Sequence, residues 1–109
     1  MNRLTILIFA CILSLPAFAQ TAGWPETGNR TRPGTRWWWM GSAVDSAGLT
    51  RALETYSKAG IGTVEITPIY GVRGNENNEI PFLSQRWMEM LQHCNREASR
   101  LGMQIDMNT

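Results

Sequence analysis

"IGTVEITPI", residues 61–69, decides how this 109-residue chain is read. Successive side chains of a strand point to opposite faces, so Val64 and Ile66 share one face while Thr63, Glu65 and Thr67 share the other. β-branched residues favour a strand here, and Pro68, which has no N–H for a ladder, is expected to stop it. "MQIDMN", residues 103–108, repeats the pattern: Met103, Ile105 and Met107 oppose Gln104, Asp106 and Asn108. Both strands are half apolar and half polar.

Outward from these strands the order becomes clear. "RWWWM", residues 36–40, is an earlier strand, since aromatic residues fit a pleated surface. Asp45 or Ser46 caps a helix in which Leu49, Ala52, Leu53 and Tyr56 recur at helical spacing, and Gly60 ends it. Glu54 and Lys58, four apart, mark its wet face. Ser84 caps a second helix, with Leu83 and Met88 placed to form a hydrophobic staple. Trp87, Met90, Leu91, Cys94, Ala98 and Leu101 make its apolar stripe, and Gly102 ends it. The order strand, helix, strand, helix, strand implies crossovers and a parallel sheet.

Parallel sheets are covered on both faces and their strands usually read as continuous apolar runs. A parallel sheet with one polar face is what a (β/α)8 barrel presents near its mouth, where inward residues at strand ends carry the chemistry. A complete barrel takes about 250 residues. The fold class expected is therefore α/β: the first β-α-β-α-β units of a partial (β/α)8 barrel over residues 36–109, with the rest of the barrel missing. The competing architecture is a self-contained three-stranded domain whose polar face meets water.

Residues 1–19 combine a basic start at Arg3, an apolar run and small residues Ala17 and Ala19 around Phe18, the pattern of a cleaved signal peptide. The run is too short for a permanent membrane anchor. A periplasmic or secreted location is expected. Residues 20–35 lack either period and read as an extended lead-in, with Trp24 able to drape over a core. Cleavage after Ala19 removes Arg3 and no acid, which leaves nine Lys/Arg against nine Asp/Glu. Such a balanced chain does not ask for nucleic acid. It also leaves Cys94 as the single cysteine, so no internal disulfide forms.

The candidate site residues lie on the polar sides of the strands. Glu65, Asp106 and Asn108 are expected near the carboxyl ends of neighbouring parallel strands, where ligands bind in open and closed α/β sheets. Paired carboxylates are the usual means of glycoside hydrolysis, one protonating the leaving oxygen and the other activating water or attacking. The alternative role is structural hydrogen bonding. An indole stacks on the apolar face of a sugar and leaves the hydroxyls free. If Arg36, Trp38 and Met40 face the helices, Trp39 is the ring nearest the mouth that meets a sugar. His93, on a line with Glu89 and Glu97, reads as a solvated helix face, and Cys94 as a small core residue. "GNENNE", residues 74–79, lacks the Asp positions and central glycine of an EF-hand and reads as a hydrophilic loop on the rim. No glycine-rich phosphate loop is present.

Two long stretches, "TRWWWMGSAVDSAGLTRALETYSKAGIGTVEITPIYGVRGNEN" and "IPFLSQRWMEMLQHCNREASRLGMQIDMNT", resemble the N-terminal part of the catalytic region of glycoside hydrolase family 106, the bacterial α-L-rhamnosidases. The likeness rests on the Trp-rich first strand, the "AGIG" turn into "VEI", and "LGMQIDMN"; Thr63 stands where another glycine is expected. The resemblance implies a large secreted multidomain enzyme with a (β/α)8 barrel, removing terminal α-L-rhamnose from polysaccharides or other glycans with inversion, typically with calcium. It places the catalytic carboxylates beyond Thr109, so none is carried over to this chain, which is expected to be inactive alone. The reading from another class is a non-catalytic secreted carbohydrate-binding module that uses the tryptophan strand and the polar strand ends.

Overall fold

A computed structural model describes residues 23–108; the expected signal peptide at residues 1–19 lies outside the described residues. Three strands, β1 (Gly34–Met40), β2 (Thr63–Ile69) and β3 (Gln104–Met107), alternate with two helices, α1 (Ser46–Lys58) and α2 (Gln85–Leu101). The strands form one parallel sheet in the order β1-β2-β3, with Trp37 opposite Ile66 and Ile66 opposite Met107. The α/β class and the parallel sheet agree with the sequence reading.

The helix boundaries follow from local chemistry. Asp45 caps α1: its Oδ1 accepts the Gly48 N–H at 2.7 Å. Ser84 caps α2 by accepting the Trp87 N–H at 3.3 Å. Each cap satisfies one of the donors that a helix start leaves without an intrahelical partner. At the other end of α2, Gly102 adopts the left-handed conformation at φ 66°, and the Met103 N–H donates back to the Ala98 carbonyl at 2.8 Å. That bond turns the chain directly into β3.

Both helices pack on the same face of the sheet. Leu49 and Leu53 of α1 and Trp87, Met90, Cys94 and Ala98 of α2 meet Trp39, Val64, Ile66 and Met103 in one core, all nearly excluded from water. Each buried aliphatic side chain of this kind stabilises the fold by about 1.5–3 kcal/mol. Alternation then leaves Arg36, Trp38, Met40, Glu65 and Asp106 on the opposite face, which no described element covers.

Four local expectations are corrected. Strand β1 begins at Gly34, two residues earlier than its aromatic run suggests, because Gly34 and Thr35 already pair with Thr63 and Val64. Pro68 does not stop β2, which continues to Ile69. The Asn108 N–H donates to the Ile66 carbonyl, so alternation aims Pro68 toward β3 as well, beyond the end of that strand at Met107. There Pro68 has no N–H to return to the Asn108 carbonyl, and the pairing of β2 with β3 ends at Ile66 and Met107 while that with β1 runs on to Ile69. Trp24 is 95% exposed and covers none of the core; the lead-in instead makes a 3-10 turn at Asn29–Thr31, after which the Pro33 carbonyl accepts the Gly62 N–H at 2.9 Å. Leu83 and Met88 are both exposed, so they form no buried staple. Among the described residues, no helix is long and apolar enough to cross a membrane.

Candidate functional site

The uncovered face of the sheet carries a row of charge. Arg36, Glu65 and Asp106 stand at the same level on β1, β2 and β3. Arg36 Nε donates to Glu65 Oε2 at 3.2 Å, and both side chains retain access to water. Asp106 does not join that pair. Its Oδ1 accepts the N–H of the next residue, Met107, at 2.8 Å. One step nearer the strand ends, Trp38 is paired with Thr67 and is 58% exposed.

Of the residues expected at a site, the structure thus brings Glu65 and Asp106 together as cross-strand neighbours, with Asn108 just past the end of β3. Glu65 is the third residue of seven in β2, so it lies down the strand rather than at its mouth. Trp39 faces the other way. It is 1% exposed in the core, edge-on to Trp37 and Trp87 at centroid distances of 5.8 Å. The expected orientation of the tryptophan strand is therefore reversed: Trp37 and Trp39 pack on the helices, and Trp38 is the ring turned to the open face. The core takes Trp37 and Trp39 because the parity that includes Arg36 keeps a charge out of it.

At the carboxyl end of the sheet lies an open cleft of about 1060 Å³, bounded by Gly41 and Ser42 after β1, Tyr70 and Gly71 after β2, and Asn108 after β3. The loop between β2 and α2 closes one side with Glu79, Ile80, Pro81 and Phe82. Phe82 is half exposed and edge-on to Trp87 at 4.9 Å, which fixes its plane. Trp87 is anchored in turn: its Nε1–H donates to the buried Ser42 Oγ at 3.0 Å and ties the loop after β1 to the start of α2. "GNENNE" is on the rim as expected, with a 3-10 turn at Glu76–Asn78 and Glu76 accepting the Gly74 N–H at 2.9 Å. This bond holds the Glu76 carboxyl below its ordinary range.

Away from the cleft, two helix readings change. His93 is not a solvated side chain; its Nε2 lies 2.8 Å from Thr50 Oγ1, across the contact between α2 and α1. Glu54 does not pair with Lys58 but accepts from Arg100 Nη2 of α2 at 2.8 Å. Arg100 also donates to Glu97 at 2.7 Å, so one guanidinium joins two carboxylates and pins the helices together. The hydrogen bond from Arg100 holds the Glu97 carboxyl below the usual carboxylate range. Cys94 is a core residue as expected, and burial pushes its thiol up to about 12.

Sequence reasoning missed Arg36, Trp38, Tyr70 and Phe82 as members of this surface. Parity held a usable signal for the first two, since Arg36 and Trp38 lie on one side of a strand whose neighbour offers Glu65 on its polar side. The loop residues are placed by tertiary packing and carry no period. Calcium, implied by resemblance, takes six to eight oxygen ligands. Among the described residues no three His, Cys, Asp or Glu side chains converge as a group that could hold a metal ion.

With this geometry in view, the sequence profile described as alpha-L-rhamnosidase, that of glycoside hydrolase family 106, matches residues 25–109. A protein of Formosa agariphila named "Putative beta-glucuronidase" is 23% identical over 103 residues. The match takes in 86% of this chain and 9% of that protein, so the chain spans less than a tenth of its relative's length.

Proposed function

The chain belongs to the α-L-rhamnosidase family, glycoside hydrolase family 106, and from that premise we propose that it forms the first βα units of a secreted (β/α)8 glycosidase barrel. Its part is to line a site for terminal α-L-rhamnose, with the catalytic acids on later units. The observation that carries this reading is the uncovered sheet face. Parallel sheets are buried on both sides, yet here Arg36, Trp38 and Met40 lie open and Glu65 keeps access to water, opposite a face on which both helices pack. In a barrel that face becomes the interior, and the carboxyl ends of the strands become the floor of the active site.

Asn108 at the mouth and, one level down, Asp106 and Glu65 side by side are then positioned to accept or donate hydrogen bonds around a sugar, and Trp38 replaces Trp39 as the stacking ring. Rhamnose fits the cleft better than a glucuronate does. The rim carries Glu76 and Glu79, which repel a carboxylate, and Ile80, Pro81 and Phe82 offer an apolar wall to a 6-deoxy methyl group. Calcium, if the whole enzyme takes it, draws its ligands mainly from other units, because the acids described here do not converge.

The test is expression of the reading frame together with the coding sequence downstream of it. The extended product is expected to hydrolyse an aryl α-L-rhamnoside with inversion, and the 109-residue chain alone is expected to leave it intact. Turnover by the short chain refutes its dependence on later units, and an extended product that cleaves only an aryl β-glucuronide refutes the rhamnose assignment. The exposed rings Trp38, Tyr70 and Phe82 favour one second reading, a non-catalytic carbohydrate-binding module. It requires saturable sugar binding by this chain and no turnover by any extended product.

A further inference from the structure

Glu79 is an exposed residue at the mouth of the sheet. Its side chain lies over the backbone of both Gly41 and Gly71, the residues that follow β1 and Tyr70. A methyl group built on Gly41 would stand 2.7–2.9 Å from the Glu79 side chain, and one built on Gly71 would overlap its carboxylate. Gly71 does not need glycine for its backbone, since its φ is not positive. What it supplies is room for that carboxylate. The next residue is also fixed, because the Ile80 N–H donates to the Gly41 carbonyl at 3.0 Å. Yet among the described residues no ion pair and no hydrogen bond reaches the Glu79 carboxylate. Two glycines and a backbone bond seat an acid that has no protein partner.

An ionised carboxylate is a pure acceptor with two oxygens side by side, the arrangement that takes two adjacent hydroxyl donors. Phe82, fixed against Trp87, presents a free face beside it. We infer that Glu79 is a sugar-binding residue of the cleft, accepting from two vicinal hydroxyls of a neutral sugar whose apolar face packs on Phe82. The role is one of binding and specificity, distinct from acid or base catalysis. It rests on the reading of this cleft as a carbohydrate site.

The experiment is a titration of the isotope-labelled 109-residue chain with methyl α-L-rhamnoside, followed by amide chemical shifts, with methyl β-D-glucuronide in parallel. The wild-type chain is expected to show saturable shifts at Gly41, Gly71, Ile80 and Phe82, with weaker binding of the anionic sugar. Glu79→Ala should weaken rhamnoside binding at least about tenfold, the loss expected for hydrogen bonds to a charged group. Glu79→Gln, which keeps one acceptor, should fall between. Gly71→Ala keeps the acid but fills its seat, and should weaken binding to a similar degree. Equal affinity in the wild type, Glu79→Ala and Gly71→Ala overturns the role of Glu79 and leaves the carbohydrate site standing. A wild-type chain whose shifts respond to neither sugar overturns Glu79 as a sugar-binding residue of this cleft, while the barrel reading is decided by turnover of the extended product.

Discussion

Replacing Ser42 by Ala tests how the mouth of the sheet is held. The Trp87 indole is 0% exposed, and its N–H donates to Ser42 Oγ at 3.0 Å, itself 3% exposed. Removing the hydroxyl leaves a buried donor without a partner, which costs about 1–3 kcal/mol. For a domain of this size each kcal/mol lowers the melting temperature by about 4–8 °C. Trp87→Phe should cost more, because it also shrinks the ring that meets Trp39 at 5.8 Å and Phe82 at 4.9 Å. In the double variant neither partner of the lost bond remains unsatisfied by the other, so the combined loss should fall short of the sum by about 1 kcal/mol. Urea unfolding followed by far-ultraviolet circular dichroism gives all four values, with the urea slope unchanged across the set. Additivity within about 0.5 kcal/mol would refute the buried bond as an energetic link.

Three further outcomes follow from particular side chains. Trp39→Ala should destabilise by about 3–5 kcal/mol and Trp38→Ala by no more than about 0.5, because one ring is buried and the other open; the reverse order in urea unfolding would return the tryptophan strand to the orientation expected from sequence. Cys94, buried with its thiol raised to about 12, should react with a thiol reagent at pH 8 only as fast as the chain opens, and at once in denaturant. Glu97 has a folded pKa below its unfolded value, chiefly through the Arg100 hydrogen bond. Its contribution is thus present above the unfolded value, about 4.3, and is lost as pH falls through the folded one. Arg100→Ala should flatten the dependence of melting temperature on pH below that point, and an unchanged acid slope would exclude the Arg100–Glu97 pair as its source.

The sequence made local structure legible because local structure is set by neighbours along the chain. The Asp45 and Ser84 caps, the glycine at the end of α2 and the stripe from Trp87 to Ala98 all involve residues within one or two helical turns. The parallel order also came through, since helices of this length leave little other way to join the strands. What failed depends on partners distant in sequence. His93 was read along its own helix, while Thr50, its partner, is 43 residues away on α1. Lys58 is the cation nearest to Glu54 along α1, but Arg100 reaches Glu54 from the neighbouring helix. Three identical rings cannot reveal which way a strand faces. Arg36 could have done so, because its charge belongs with the polar row.

Two carboxylates that look equivalent in the sequence, Glu65 and Asp106, differ in the sheet. Glu65 is already matched by Arg36 within the sheet, so it serves as a charged floor whose partner is part of the protein. Among the described residues Asp106 has no such partner. Because the Asn108 N–H donates to β2, alternation turns the Met107 N–H away from β2 toward the outer edge of β3, and there Asp106 Oδ1 accepts it. An open edge exposes N–H groups that another strand would take. On the barrel reading proposed above, a fourth parallel strand takes the Met107 N–H into its ladder and releases the Asp106 carboxylate from its own backbone. Asp106, facing the interior at the level of Glu65 and freed of that bond, is then the acid of this pair available to a sugar. Glu65 remains held by Arg36.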